Sequence, residues 1–491
     1  MTYVIRKRSL GKRTAMNSSR AIPVNLAIAY PRTPSLARAI EFESSRSYRL
    51  TCIALFLWWI ASLYPLMAVY DIEEQLQQAP EATEKGSLPG QLLVISFAIL
   101  GGFYLPRAMR ALRGRQEVRS LLYLLGAYLL WSAATIFWSD DVALSIRRLG
   151  QLILLLIGVF GLGAGFYSQT RERTLTLARH VLYASWIAVA VLITSRLWNQ
   201  SFSELLNPEW TLKGNTAAQF YIFPVAYGII AALVLYPAAK VRQVVSVSLL
   251  GLLLLLLKGR TMIAGTLAAG LLISSRLAKP ALGRTISLFI GLILSLMQVD
   301  LAIGGRIFIS CASWVADSLF SLLPYLTLGN GMDDLLSLDG RVPLWQTLWP
   351  YFYEHPFVGH GFGAFWNPTR FDDVWFEARW YAVAAHNGFL DELLGTGVIG
   401  LLLFLAFWFG SMRLSLRVAS EDKRTGYLVF GWLLLFLFFN STGSLLQSYF
   451  ESPTLFSLTA LFAVLVPPAR HRHPRVPPAN MSCKKMIEVQ S

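Results

Sequence analysis

Long uncharged apolar runs alternate with short polar segments along most of the chain. A helix needs about 20 apolar residues to cross a bilayer, and an apolar run without a polar face is typical of a helix in lipid or inside a bundle. The run from Val244 to Leu257 is an example. The pattern predicts an all-α protein with about twelve transmembrane helices. They are placed near residues 50–70, 91–105, 120–138, 149–167, 181–195, 217–236, 243–257, 261–275, 285–303, 393–411, 426–440 and 452–467.

The composition agrees with a bilayer as the surrounding solvent. Only 14% of the 491 residues are charged, whereas 55% are hydrophobic. A soluble protein of ordinary composition has roughly a quarter of its residues charged. The sequence therefore favours a membrane protein over a soluble enzyme or binding module.

The charged residues are divided unequally between the two sides of the predicted membrane. With the N-terminus in the cytoplasm, 32 of the 43 Lys and Arg residues but only 7 of the 28 Asp and Glu residues face that side. Positive charge in short loops marks the cytoplasmic side. This asymmetry predicts a multi-pass protein of the bacterial inner membrane with both termini in the cytoplasm. The net charge of +15 is then mainly an orientation signal facing anionic lipid, and it does not indicate nucleic acid.

The spans divide the chain into five parts. Residues 1–48 form a basic cytoplasmic extension that lacks the features of a signal peptide, and residues 49–304 hold helices 1 to 9. Residues 305–391 form one large periplasmic loop, residues 392–467 hold helices 10 to 12, and residues 468–491 form a cytoplasmic tail. Long loops in compact proteins are usually functional.

The apolar segment 308–326 at the start of this loop has two interpretations. It is either a re-entrant or interfacial helix or a thirteenth span. A further span would turn Arg413, Arg417 and Lys423 outward, so the re-entrant interpretation is favoured.

Several arginines lie on the periplasmic side at the edges of spans, against the general charge bias. They are Arg147, Arg148, Arg260, Arg306 and Arg341. Such side chains commonly extend from helix ends towards water without binding any ligand. Their planar guanidinium groups would also bind a diphosphate in a bidentate manner at the membrane surface. Composition alone leaves both interpretations open.

Three motifs follow one another in the loop. Gly340-Arg341-Val342-Pro343-Leu344-Trp345 comes first, Pro356-Phe357-Val358-Gly359-His360-Gly361 comes second, and His386-Asn387 precedes a span rich in Leu and Gly. Their order and spacing resemble the O-antigen ligase and exopolysaccharide polymerase superfamily. Trp138 to Arg148 and Lys258 to Thr261 are similar to the external turns of that family, so the resemblance covers roughly residues 120–410. The loop most resembles the exopolysaccharide-polymerizing branch.

The resemblance implies a C-type glycosyltransferase-like fold and glycosyl transfer on the periplasmic side. The donor would be an oligosaccharide on undecaprenyl diphosphate, and the acceptor a sugar hydroxyl on another lipid-linked repeat unit or on a glycolipid. Polymerase and ligase share this chemistry and differ in the acceptor. No metal, nucleotide sugar or other cofactor is implied. Further partners would be membrane lipids and other polysaccharide assembly proteins.

The resemblance also implies roles for particular residues. Arg260 and Arg341 would hold the diphosphate, and His386 would act as the base on the acceptor hydroxyl. An imidazole titrates close to neutral pH and is the usual general base. Weaker expectations of substrate contact concern Arg147, Arg148, Asn387, Trp345, His360 and Asp391. Simpler roles are open for several of them, such as helix capping for Asp391 and an interfacial aromatic belt for Trp345.

Two other classes of function remain. One is a transporter for an anionic solute or a polysaccharide precursor, which would need ionisable residues in mid-span. The predicted spans are nearly free of charge, which weighs against it. The other is a non-catalytic component of a polysaccharide assembly complex, and the arginines together with His386 argue against that class.

Overall fold

The computed structural model describes the part of the chain that carries most of the predicted spans and the second half of the loop. It describes residues 45–46, 48–52, 88–112, 116–170, 172–199, 218–236, 240–256, 260–278, 341–378, 382, 384–444 and 452–466. Within these residues every regular element is a helix, as the sequence predicts. The predicted spans near 50–70 and 285–303, and the segment 308–326, lie outside or almost outside the described residues.

The helices before the loop are α1 to α8. They are α1 Leu88–Gly102, α2 Leu105–Leu112, α3 Gln116–Ala134, α4 Val142–Phe160, α5 Thr174–Asn199, α6 Ala218–Leu235, α7 Lys240–Leu256 and α8 Arg260–Ala278. The loop and the C-terminal region contain α9 to α13. They are α9 Arg341–Glu354, α10 Pro368–Ala378, α11 Gly388–Glu421, α12 Lys423–Asn440 and α13 Ser452–Leu465.

Four helical stretches of the described residues are long and apolar enough to cross a membrane. They are Val118–Trp138, Val142–Gln169, Thr174–Val191 and Gly388–Glu421. A fifth results if α1 and α2, which meet at an angle of 50°, form one broken span. Shorter apolar helices lie within α6, α7, α8 and α13. An all-helical, multi-pass architecture is thus supported, while the number of twelve spans and the periplasmic position of the loop stay predictions.

Most of the buried apolar residues form one continuous cluster, here called the bundle core. Within it α5 packs on α6, α11 on α12, and α1 on α4. The last pair approaches closely because glycines face each other: a Cβ on Gly101 would overlap the backbone of Gly158, and one on Gly161 would overlap Gly101. Small residues at such crossings let two membrane helices pack backbone to backbone.

A second, smaller cluster, here called the loop core, lies between α9, α10 and the start of α11. Its buried members are Val342, Leu344, Trp345, Leu348, Phe365, Trp366, Phe371, Val374, Ala382, Ala385, Leu390 and Leu394. The loop thus has a packed interior of its own. Such an interior can hold a short non-helical segment, such as the one that precedes α11, in a fixed position.

α11 is broken at Gly397, where the backbone has φ 70° and ψ −173°. A residue with a side chain rarely adopts this φ, and a Cβ here would also overlap the backbone of Phe357. The turn formed by residues 356–363 supplies partners for the interrupted helix. His360 N donates to Leu394 O (2.8 Å), Gly361 N to Gly395 O (2.9 Å), and Val398 N to Pro356 O (2.9 Å). The break is therefore bridged by main-chain hydrogen bonds, as a helix interrupted away from water requires.

Candidate active site

His386 lies in the short segment between the loop core and α11, and its backbone is held on both sides. Ala385 N donates to Asp391 Oδ1 (2.9 Å), and Ala385 O accepts the indole N–H of Trp345 (2.7 Å). On the other side Gly388 N donates to Gly443 O (2.9 Å). These contacts join α9, α11 and the end of α12 around one histidine.

His386 itself has a φ of 49°, in the left-handed region. Few residues other than glycine adopt this conformation, and such strain is kept mainly where the surrounding structure enforces it, often at functional sites. Here the pinned neighbours on both sides enforce it. The backbone conformation therefore sets the direction in which the imidazole leaves the chain.

The electrostatic surroundings of His386 favour the neutral imidazole. Burial, and in addition the positive charge of Arg341, lower the pKa of His386 from its usual 6.5 to about 4. Arg341 is the first residue of α9, and the family resemblance predicts both residues, together with Arg260, as catalytic. The structure thus brings Arg341 and His386 together electrostatically. At neutral pH the imidazole is unprotonated, which is the state in which a histidine can accept a proton from a bound hydroxyl.

Asp391 is fully buried in the first turn of α11. Its Oδ1 accepts hydrogen bonds from the Trp366 indole (2.7 Å) and from Ala385 N (2.9 Å). Its exposed fraction is 0%, so this carboxylate faces the interior of the protein. Asp391 acts on the segment before His386 rather than on the surface of the loop.

Two more of the predicted substrate contacts serve the same segment. Asn387 is the N-cap of α11, since its Oδ1 accepts from Phe389 N (3.1 Å) and Leu390 N (3.3 Å). Trp345 has an exposed fraction of 3% and packs inside the loop core. Its ring therefore lies neither in a surface aromatic belt nor on an open face that could stack on a sugar.

His360 connects three parts of the structure. Its Nδ1 lies 3.1 Å from Asp140 Oδ2 and its Nε2 lies 2.9 Å from Tyr351 O, so both ring nitrogens face oxygen acceptors. Its backbone carbonyl accepts from Asp140 N (2.9 Å). The side chain is buried, so its contacts fasten the turn of residues 356–363 to α9 and to the connection between α3 and α4.

The connection between α3 and α4 carries two acidic residues with different roles. Asp141 caps α4, because its Oδ1 accepts from Leu144 N (2.9 Å). Asp140 pairs with His360 and with Arg370 Nη2 (3.3 Å). Burial alone would raise the pKa of Asp140, but the hydrogen bonds and charges of His360 and Arg370 outweigh it and lower that pKa. Asp140 is thus a carboxylate that joins α10 to the helix bundle.

For the remaining predicted arginines, the structure gives mainly the position on a helix. Arg147 and Arg148 lie in the first turns of α4, partly buried. The stem of Arg148 passes against the turn of residues 356–363, since a Cβ on Gly363 would lie 2.9 Å from Arg148 Cγ. Arg260 is the first residue of α8, but its side chain lies outside the described residues.

Two further contributors lie outside the set of predicted site residues. Trp366 donates to Asp391, and Glu392 is a second buried carboxyl in α11, accepting from Thr396 Oγ1 at 2.6 Å. In the sequence Glu392 stands out only as half of an acidic pair at the start of a span, and Trp366 only as one of several tryptophans in the loop. Among the described residues no group of three or more His, Cys, Asp or Glu side chains is arranged to hold a metal ion.

Comparison with known proteins gives two similarities. A family model described as O-antigen ligase matches residues 245–405, which include Arg341 and His386. The exopolysaccharide production protein ExoQ of Rhizobium meliloti (strain 1021) is 27% identical over 321 residues, covering 60% of this chain. The match spans 66% of that protein, just under two thirds of its length. Both findings confirm the resemblance that the loop motifs carry, and they support a similarity to the O-antigen ligase and exopolysaccharide polymerase superfamily.

Proposed function

We propose that this protein transfers a glycan from undecaprenyl diphosphate to a sugar hydroxyl at the periplasmic face of the bacterial inner membrane. The family supports a membrane glycosyltransferase of the ligase or polymerase type. The observation that carries the proposal is the placement of His386: its left-handed backbone lies in a segment fixed by buried hydrogen bonds, and the positive charge of Arg341 acts on its imidazole.

The chemistry divides between these two side chains. His386 accepts the proton of the acceptor hydroxyl while that oxygen forms a bond to the anomeric carbon of the donor. The bond between this carbon and the diphosphate oxygen breaks, and its electron pair leaves with the diphosphate. Arg341, with Arg260, Arg147 and Arg148, stabilises the negative charge that develops there. Because cationic side chains can stabilise this negative charge, the proposal includes no metal and no other cofactor.

The acceptor is proposed to be another lipid-linked repeat unit, which makes the protein a polymerase. The relative is named for exopolysaccharide production, and the loop motifs resemble the same branch. A ligase that transfers finished chains to a glycolipid is the second candidate, because the matching family model is described as O-antigen ligase. Both keep the proposed topology, with the two termini in the cytoplasm.

The test uses cells that lack this gene. They are complemented with the wild type, Arg341→Ala or His386→Ala at equal membrane levels, and surface and secreted glycans are sized on gels. The polymerase predicts long polymer with the wild type and single lipid-linked repeats with both variants. Transfer of preformed chains to a glycolipid would instead identify a ligase. Variants indistinguishable from the wild type would overturn the assignment and favour a transporter or a non-catalytic component.

A further inference from the structure

The two backbone groups of Ala385 are engaged by side chains from different helices. Asp391 in α11 holds its N–H, and Trp345 in α9 holds its carbonyl. Ala385 is fully buried, and Asp391 and Trp345 are exposed by only 0% and 3%. Hydrogen bonds between such buried groups are strong, and a buried N–H or carbonyl group that loses its partner is costly.

The carboxylate of Asp391, which accepts the hydrogen bond from Ala385, is itself held in place. Oδ1 of Asp391 also accepts the indole N–H of Trp366, whose ring stacks on Phe371 of α10 with centroids 6.0 Å apart. All three helices of the loop core thus contribute to one rigid support. The next residue along the chain is His386, with its left-handed backbone.

We propose that Asp391 and Trp345 form a positioning clamp on Ala385, which fixes the imidazole of His386 at the place where it meets the acceptor hydroxyl. The inference rests on the proposed function of His386 and assigns the two residues a role other than substrate contact. Neither side chain touches the substrate. Loss of either one lets Ala385 shift, and a displacement of about 1 Å in a reacting group can lower a rate by roughly 10²-fold.

The chain offers a matched control for the tryptophan. Trp408 in α11 is exposed by only 1%, and like Trp345 it donates its indole N–H to a backbone carbonyl, that of Leu433 (3.1 Å). Trp345→Phe and Trp408→Phe therefore remove the same kind of hydrogen bond. Only the first removes it from Ala385. For Asp391, the Asn variant keeps an acceptor oxygen while the Ala variant has none.

Two measurements are made on the full-length protein in lipid nanodiscs. The first follows the reaction of His386 with diethyl pyrocarbonate, which modifies the neutral imidazole, by peptide mass spectrometry between about pH 3 and pH 8. The second measures kcat and KM with lipid-linked repeat units extracted from the gene-deletion strain. The modification experiment reports the exposure and protonation of the His386 ring and does not depend on catalytic activity.

The clamp predicts that Trp345→Phe and Asp391→Ala speed the modification of His386. The pH midpoint of modification should move from about 4 towards the usual value of about 6.5, as the ring moves into water. In both variants kcat should fall by about 10-fold to 10²-fold while KM for the donor changes little. Trp408→Phe and Asp391→Asn should match the wild type in both measurements.

Three results would contradict parts of this scheme, and they are distinguishable. Unchanged modification of His386 in Trp345→Phe and Asp391→Ala overturns the clamp, whatever happens to the rate. An Asp391→Asn variant as impaired as Asp391→Ala also overturns it, because the bond to Ala385 needs an acceptor and not a charge. Altered modification with unchanged product formation supports the clamp and overturns the proposed role of His386 as the base.

Discussion

The bundle core and the loop core are packed from different kinds of residues. The bundle core is held by aliphatic and aromatic side chains and by close glycine contacts such as that between α1 and α4. Among the described residues, the fully buried acidic or imidazole side chains are His360, Asp391 and Glu392, and all three belong to the loop or its junction with α11. Burying such groups is costly unless they are hydrogen bonded, and they concentrate at functional sites. The difference agrees with the proposal that the loop core positions the general base, while the bundle provides the support and the arginines near its helix ends.

The largest test of this division compares two partly buried histidines. His386→Asn should lower kcat by about 10²–10⁴-fold, because the general base is lost while Asn tolerates the left-handed backbone. His180→Asn removes a bundle histidine whose Nδ1 lies 2.8 Å from the Tyr167 hydroxyl. Once rates are normalised to the amount of folded protein, its kcat should equal that of the wild type. Equal losses in the two variants would show that His386 is not the general base.

The second test concerns the junction between the two regions. Gly397→Ala should destabilise the protein by about 1–3 kcal/mol or more, because alanine is strained at a φ of 70° and its Cβ would overlap Phe357. Gly126→Ala in α3 is the control, since no atom lies within 4 Å of the added Cβ. Thermal unfolding in detergent, followed by size-exclusion chromatography, measures both. If the two variants unfold at the same temperature, the junction is not the rigid element described above.

The third test uses pH. The free enzyme should lose activity only as the pH approaches about 4, the pKa of His386, because the base works in its neutral form. Arg341→Gln removes one cause of this low pKa, so the pKa rises and activity is lost at higher pH during acidification. The midpoint should stay below 6.5, because burial is the larger cause. Arg341→Lys keeps the charge and should keep the wild-type midpoint in the pH profile of kcat/KM. A midpoint that does not differ between the Gln and Lys variants would remove Arg341 from this explanation.

The smallest effect is expected at the surface of the loop core. Arg370 contacts Asp140 at 3.3 Å, and its guanidinium lies 4.7 Å from the centroid of the Tyr351 ring. Arg370→Met should cost about 1 kcal/mol or less, since partly exposed ion pairs contribute little, and the rate should change by less than about threefold. Thermal unfolding and product formation measure the two quantities. A large loss of rate would place Arg370 in the active site.

The helical bundle follows from hydropathy more readily than its interruptions do. The spans predicted near 120–138, 149–167, 181–195 and 393–411 coincide with the helices that are long enough to cross a membrane. The bend between α1 and α2 and the break at Gly397 were not predicted, because an apolar run reports burial and not backbone direction. The three glycines of residues 359–363 all have positive φ angles, a conformation that glycine permits but that the sequence motif alone does not specify.

Residues of the candidate site that belong to a sequence motif were predictable. Residues whose role depends on a tertiary contact were not. His386 and Arg341 stand in recognisable motifs, and the structure brings them together. The two hydrogen bonds that Ala385 makes with Asp391 and Trp345 depend on tertiary packing across the loop core. A tryptophan in a membrane protein fits an interfacial belt and a buried core equally well in sequence. Only its position after folding separates the two.

The bridge across the break in α11 is made almost entirely by main-chain atoms. Most side chains in the turn of residues 356–363, and in the helix ends that it joins, are therefore not needed for the bridge itself. The spacing of the glycines and the length of the turn matter more, because they determine whether the two backbones can meet. Substitutions at many of these side chains should accordingly leave the bridge intact, as long as the glycines, His360 and the number of residues are kept.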